Sequence, residues 1–294
     1  VALPHILVTG ASGFIGSAVV EELIARNCNF VCIGQKPPLQ KDANWTHVDL
    51  EKDSEVDQYL VNNAPSLILH LAWIGIPDLS EEMSERNYQM SWKFIQKLLR
   101  FGAKRIVLAG SCLEYGQSEG QVDEESPLVD PAPFGRIKNK LFQSALSESR
   151  KFSCKVLNSR IFFSYGSGQR SGSLVPSLYR SITSGQAPSI RSPNAAQDFI
   201  EVTDVATGLV EMLLNESAEE GIYNIGSGKL TSVVEIAGLL SEKLGFSGEN
   251  KPKIQSKGVY ADITKLKKLG WSPKLSIEAG LERYIVHQQI QEKI

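Results

Sequence analysis

Three short stretches offer groups that could do chemistry. The first, HILVTGASGFIG from His5 to Gly16, sets three glycines at a spacing that suits a phosphate-bearing ligand. Gly10 lets the chain turn sharply, Gly13 removes the side chain that would keep a pyrophosphate off the backbone, and Gly16 permits close packing of helix on strand. The free N–H groups of that helix, and its dipole, then face the negative charge. Gly10, Ser12, Gly13, Phe14, Ile15 and Gly16 are therefore the candidate cradle of a dinucleotide. The second stretch, Gly34-Gln35-Lys36, stands where such a site often holds an Asp or Glu against the ribose of NAD. The absent acid, with Gln35 and Lys36 in its place, favours NADP(H) and leaves NAD(H) as the other choice; a lysine facing solvent would look the same. The third stretch, GSCLEYG at 110–116, gathers small and polar groups just past an apolar run, where ligands meet an α/β sheet.

Positioning these groups takes strands and helices in alternation. Ile6–Val8 reads as a buried strand, Ser17–Arg26 as a helix with Val19, Val20, Leu23 and Ile24 on its apolar face, and Phe30–Ile33 as a second strand, which together make a βαβ unit. His47–Leu50 is the end of a third strand, with Asp49 and Leu50 placed near the adenine end of a dinucleotide. Ser66–Leu71 is a fourth, running into Ala72 and Trp73, so Leu71, Ala72 and Trp73 join the cofactor candidates. Ser84–Gly102 is a long helix, Arg105–Ala109 a fifth strand, Gly135–Ser149 a helix and Cys154–Phe162 a sixth strand. Beyond Tyr165–Gly168 the alternation loosens. Helices start near Leu174, Val205, Val233, Ile263 and Ile277; short strands fall at Asp198–Val202 and Gly221–Ile225, with an apolar piece around Ser189–Arg191. A glycine turn with no ligand is the bland alternative for residues 10–16, and the continuing αβ repeats argue against it.

Hydrophobic residues make up 42% of 294, enough for a large core, and a formal charge of -2 gives no electrostatic reason to expect nucleic acid or an anionic membrane as partner. No apolar run is long enough to span a bilayer, and the apolar N-terminal stretch ends at the glycine turn, which marks a strand instead of a signal peptide. The start at Val1 instead of Met is read as processing or a chosen boundary. Cys28, Cys32, Cys112 and Cys154 lack paired metal spacing; they fit buried thiols of a reducing, cytoplasmic compartment and no metal site.

Taken in order, these motifs resemble the extended short-chain dehydrogenase/reductase family, in its branch of nucleotide-sugar epimerases, dehydratases and ketoreductases. VTGASGFIG is similar to its cofactor fingerprint, His70-Leu71-Ala72 to its fourth-strand signature, and Asn87 to the asparagine that stabilises the central helix. RIFFSYGSGQ at 160–169, Gln197-Asp198-Phe199-Ile200, YNIGSG at 223–228 and Ala261-Asp262 with LGWSP at 269–273 resemble its lobe segments. The resemblance implies an α/β fold: a Rossmann-type doubly wound parallel sheet with a smaller mixed α/β substrate-binding lobe. Residues 1–165 would form the NAD(P)-binding domain and 166–294 mainly the nucleotide-sugar lobe, with some segments returning to the sheet. It also implies a homodimer through the helices at 84–102 and 135–149.

In that family a serine or threonine past the fifth strand works with a tyrosine and a lysine four residues apart on the next helix. Ser111 matches the first and Lys138 the last, while the tyrosine position holds Phe134. By resemblance, Lys138 contacts the nicotinamide ribose and Ser111 the substrate oxygen; phenylalanine supplies neither a proton nor a hydrogen bond. The preferred reading is a tyrosine deliberately replaced, so that cofactor and intact substrate are held without turnover. The alternatives are a natural protein using another acid, such as Tyr115 or water, and a cofactor-binding protein with no reaction. Tyr115 reads more simply as a packing residue.

Dehydratases of the family carry an Asp-Glu pair after the catalytic Ser or Thr; Cys112 and Leu113 stand there, which argues against dehydration. Glu114, displaced by one position, reads as structural. The choice left is between reduction of a nucleotide-linked 4-keto-6-deoxyhexose, as in the synthesis of deoxy sugars for a surface polysaccharide, and 4-epimerisation on bound NAD. The absent acid near Gly34 favours reduction with NADPH. Substrate candidates are Trp73, Ser111, Cys112, Phe163, Arg180 and Arg191, the arginines as possible phosphate ligands; Asp198 reads as fixing the lobe.

Overall fold

The computed structural model describes residues 6–186, 195–246 and 257–292. Strand β1 (Ile6–Thr9) is buried at every position, as a strand covered on both faces must be. Helix α1 (Phe14–Ala25) leads to β2 (Phe30–Gly34), which pairs parallel to β1 from Ile6 opposite Phe30 to Thr9 opposite Ile33. Strand β3 (Trp45–His47) lies outside β2. Helix α2 (Asp53–Asn63) then carries the chain back across, and β4 (Leu67–His70) pairs with the other side of β1. The crevice at this reversal, beyond the C-terminal ends of β1 and β4, is where open α/β sheets bind ligands.

From there the sheet grows outward. Helix α3 (Glu81–Arg100) precedes β5 (Arg105–Ala109), a 3-10 turn at Cys112–Tyr115 and the short β6 (Gly120–Val122), then α4 (Pro133–Ser149) and β7 (Lys155–Ile161). The chain continues through β8 (Phe163–Tyr165), α5 (Leu174–Thr183), β9 (Ala196–Gln197), β10 (Phe199–Glu201) and α6 (Val202–Leu214) to β11 (Gly221–Ile225). It ends in β12 (Thr231–Ser232), α7 (Val233–Lys243), β13 (Val259–Ala261), α8 (Thr264–Lys267) and α9 (Ile277–Gln291). Seven parallel strands form the main sheet in the order β11-β7-β5-β4-β1-β2-β3, so the doubly wound α/β fold is as the sequence suggests.

One face of that sheet packs on α1 and α6 through Val8, Val19, Leu23, Val205 and Leu209. The other packs on α2, α3 and α4 through Leu7, Leu60, Ile68, Phe94, Leu98 and Leu141. A third core gathers Tyr165, Leu178, Ile236 and Leu281 from β8, α5, α7 and α9. Asp198 ties this lobe to the segments around it, accepting hydrogen bonds from the backbone N–H of Ser227, Gly228 and Ala261 and from the Ser227 hydroxyl.

Several boundaries differ from the sequence reading for local reasons. The third strand is Trp45–His47, not His47–Leu50, and Val48–Leu50 leaves the ladder to wall a cavity. Helix α3 starts at Glu81 because Ser80 caps it, accepting from Met83 N, and two acids in its first turn favour its dipole. Helix α4 starts at Pro133, a residue suited to a helix's first positions, which brings Phe134 into the first turn. The apolar piece around Ser189–Arg191 lies outside the described residues. Among the described residues no helix is long and apolar enough to cross a membrane, and no three His, Cys, Asp or Glu side chains group to hold a metal ion.

Candidate functional site

A cavity of about 360 Å³ sits over the ends of β1, β2 and β4, lined by Gly10–Gly13, Gly34, Gln35, Lys36, Asp49, Leu50, Leu71, Ala72 and Trp73. Beside it lies a second of about 610 Å³, and the two share Gly10, Ser12, Gly13, Leu71 and Trp73 as a common wall. Phe14, Ile15, Gly16, Ser111, Phe134 and Lys138 line only the second. Every cofactor candidate named from the sequence therefore borders one cavity or both.

The glycine turn is built to meet an anion with backbone. Gly10 has φ 73°, and a Cβ there would lie 2.7 Å from Ala72 N. A Cβ on Gly16 would run into the Gly10 carbonyl oxygen. Gly13 caps α1 without a side chain, so the first N–H groups of the helix remain open to the cavity, and no acid stands in the first turn to compete with a phosphate. These features fit a dinucleotide pyrophosphate. At the end of β2 the cavity meets Gln35 and Lys36 and no carboxylate; Asp49 enters from the β3 side.

The floor at the β4 end is fixed by buried polar contacts. His70 is hydrogen-bonded through Nδ1 to Thr9 Oγ1 at 2.8 Å and through Nε2 to Ser91 Oγ at 2.9 Å. Burial, with the nearby Lys138 charge adding to it, holds the imidazole neutral and pulls its pKa down to about 3. Asn87 on α3 accepts from Ile74 N at 2.6 Å and donates to Ile74 O and Met83 O, so it fastens the loop after β4 to the helix.

Ser111 caps the 3-10 turn, its Oγ accepting from Leu113 N while Glu114 accepts from Ser111 N at 3.0 Å. Glu114 is fully buried, paired with Arg160 at 3.0 Å and bonded by Asn158, so it anchors the serine loop and does not reach the cavity. Gly110 allows this: a Cβ there would fall 2.6 Å from both the Glu114 and Asn158 side chains. Opposite, the Phe134 ring meets Trp73 edge-on at 5.4 Å. Lys138, one turn further along α4, donates to Ala109 O at 2.7 Å and rests its Nζ 3.8 Å from the centre of the Trp73 ring. Burial lowers its pKa to about 7, opposed in part by Glu114.

Not every substrate candidate reaches the cavity. Cys112 points into the core beneath the 3-10 turn, where burial pushes its thiol pKa well up, and it does not line the cavity. Phe163 faces away onto Phe199, 6.0 Å off, because strand alternation turns its neighbours Phe162 and Ser164 inward instead. Arg180 sits at the end of α5, bonded to Ser171 O outside the cavity wall. Arg191 is outside the described residues. Tyr115 is completely buried, its hydroxyl 2.8 Å from both Asp123 O and Asn224 Oδ1, which share its one proton, and its pKa pushed up by burial to about 12; it is a packing residue and cannot stand in as the acid. The wall also includes Ser164, Gln169, Arg170 and Ser173, which the sequence reading passes over.

The model of the NAD dependent epimerase/dehydratase family matches residues 6–226. The chain belongs to that family. Among its relatives within the NAD dependent epimerase/dehydratases, it is 28% identical over 299 residues to a putative UDP-glucose 4-epimerase of Methanocaldococcus jannaschii, covering 95% of this chain and 97% of that one. It is 25% identical to the dTDP-4-dehydro-6-deoxyglucose reductase of Escherichia coli, covering 95% and 96%. In fold it is similar to the UDP-glucose 4-epimerase of Thermotoga maritima solved with UDP-glucose, with a TM-score of 0.86, 23% identity and 98% and 99% of the two chains covered.

Proposed function

We propose that the chain is a nucleotide-sugar oxidoreductase that reduces the 4-keto group of an NDP-4-keto-6-deoxyhexose with NADPH, and that Phe134, in place of the family's tyrosine, slows that step. The observation that carries this reading is the shared wall of the two cavities: the dinucleotide cradle is continuous with the one place where Ser111, Phe134 and Lys138 stand together. When bound, the reduced cofactor supplies a hydride. Gly10–Gly16 would hold its pyrophosphate, Asp49 and Leu50 its adenosine end, and Gln35 and Lys36 a 2′-phosphate. Ser111 Oγ would hydrogen-bond the sugar oxygen, with Trp73 walling the sugar. Arg170 replaces Arg180 as the candidate for the sugar diphosphate, since it lines the cavity and Arg180 does not. A homodimer through α3 and α4 belongs to the same reading.

Reduction is preferred because the β2 end carries a lysine and no acid, which suits an exchangeable NADPH. A 4-epimerase with retained NAD is the second reading, favoured by the likeness to the M. jannaschii protein. Restoring the hydroxyl with Phe134→Tyr separates them. Reduction predicts NADPH oxidation with an NDP-4-keto-6-deoxyhexose that rises ~10²–10⁴-fold over the parent chain. Purified Phe134→Tyr that retains NAD, interconverts C4 epimers and leaves NADPH untouched would sink it.

A further inference from the structure

We propose that the chain has a second ligand site, behind the glycine turn, that takes a free amino acid with an apolar side chain. The site is a cavity of about 350 Å³, a size usual for small-molecule sites, between the first turns of α1, the start of α6 and α9 from Arg283 to Ile290. It shares Ser12, Gly13 and Phe14 with the cavities already described, but none of the main-sheet strand ends that face the cofactor lines it. The inference does not depend on the direction or the cofactor of the reaction.

Two ionic groups in this wall are left without ionic partners. Glu201 is 3% exposed, and its carboxylate is only half used. Oε2 caps α6, accepting from Thr203 N at 2.6 Å and from the Thr203 hydroxyl. Oε1, which a Cβ on Gly166 would approach to 2.8 Å, accepts nothing among the described residues. The Thr203 hydroxyl in turn accepts from Arg283 Nη1 at 3.2 Å. One hydroxyl thus stands between an acid and a base, and among the described residues neither forms an ion pair. A buried carboxylate oxygen without a donor is costly, and a ligand ammonium would supply the donor. The guanidinium has further N–H groups for a carboxylate. In an amino acid both charges hang on a single carbon, so one small molecule can meet both heads. Glu21, at the rim on α1, is already held by Gln40 Nε2 at 2.9 Å, which leaves Glu201 as the acid for the ammonium.

Much of the remaining wall is apolar. Phe14, Ala18 and Val202 shelter it, while Leu39, Val286 and Ile290 border it at 73%, 51% and 54% exposure. Exposed apolar side chains gathered at one cavity mark a place where a ligand covers them. His287 lines the same wall, with its Nδ1 buried and unpartnered among the described residues. An apolar amine would leave Arg283 unmet, an apolar acid would leave Glu201 unmet, and a polar amino acid would leave the apolar rim uncovered. A zwitterion with an apolar side chain satisfies all three.

Isothermal titration calorimetry of the whole chain with L-valine, L-leucine and L-phenylalanine tests this, alone and with saturating NADPH or NADH. At least one of the three binds, and binds equally well beside the dinucleotide. Its analogues with a single charge, which for phenylalanine are 2-phenylethylamine and 3-phenylpropionate, bind at least ~10-fold more weakly, as the loss of one charge-assisted hydrogen bond requires. Arg283→Gln weakens the amino acid by the same factor and leaves the amine unchanged. Glu201→Gln, which can still cap α6, weakens the amino acid and leaves the acid analogue unchanged. Failure of all three amino acids to bind at millimolar concentration overturns the proposal. So do analogues that bind as tightly as the amino acid, an Arg283→Gln chain that binds it unchanged, or displacement by either dinucleotide, which would put the ligand in the cofactor cavity.

Discussion

At the scale of single residues, the site depends on one buried ion pair. Glu114 holds Ser111 N from below and is itself held by Arg160 and Asn158, so the serine is presented by a loop whose charge is matched inside the core. Removing one partner of such a pair strands the other in a medium that cannot solvate it. Glu114→Ala should therefore cost about 3–5 kcal/mol of stability, read as the urea midpoint, and Glu114→Gln, which can still accept from Ser111 N, should cost less. Equal midpoints for parent and Glu114→Ala would show that Arg160 finds solvent elsewhere. The resemblance points to Ser111 and Lys138, which line one cavity, and Glu114, read as structural from its displaced position, is buried. Cys112, read both as a buried thiol and as a substrate candidate, is buried by the 3-10 turn. Which way Phe163 points is not legible, because the short β8 begins so close to β7 that its alternation cannot be phased from pattern alone.

At the scale of elements, His70 joins three: it lies on β4 and bonds Thr9 of β1 and Ser91 of α3. The folded protein keeps it neutral down to about 3, whereas the unfolded chain protonates it near the ordinary value of 6.5. Below pH 6.5 the unfolded state thus binds more protons than the folded state, and stability falls as pH drops through this window toward 3, by up to ~1.4 kcal/mol per pH unit from this group. Above pH 6.5 His70 contributes no slope. Unfolding midpoints of the parent and His70→Gln measured through this range should diverge, the variant having the shallower acid limb; parallel limbs would assign the loss to other groups. The strands that build this junction were readable as apolar runs ending in a turn. Helix α2 was not, because only Val56, Tyr59 and Leu60 of its residues are buried, too sparse a stripe to stand out. Strands β6 and β13, three residues each and far apart in the chain, exist through pairing with one another, and nothing local marks them.

At the scale of the whole molecule, a ligand that spans both cavities would bridge the sheet edge to the residues from Ser164 to Ser173 that lead into the lobe. A dinucleotide with this reach binds only the folded chain and stabilises it by mass action, by ~2.7 kcal/mol at a hundred times its dissociation constant. On the proposed reading, the end of β2 would decide which dinucleotide does so. A 2′-phosphate there would meet Lys36 and Gln35, and a charge-assisted hydrogen bond of that kind contributes ~1.5–3 kcal/mol. A bare NAD ribose finds no carboxylate after Gly34 to receive its hydroxyls. NADPH should therefore raise the melting temperature more than NADH at equal concentration, and Lys36→Ala should remove most of that difference while leaving the NADH shift unchanged, because the glycine cradle that both cofactors use is untouched. A larger shift with NADH, or a Lys36→Ala chain that still prefers NADPH, would mean that Asp49 or another wall of this cavity sets the choice, and would return the epimerase with retained NAD to first place.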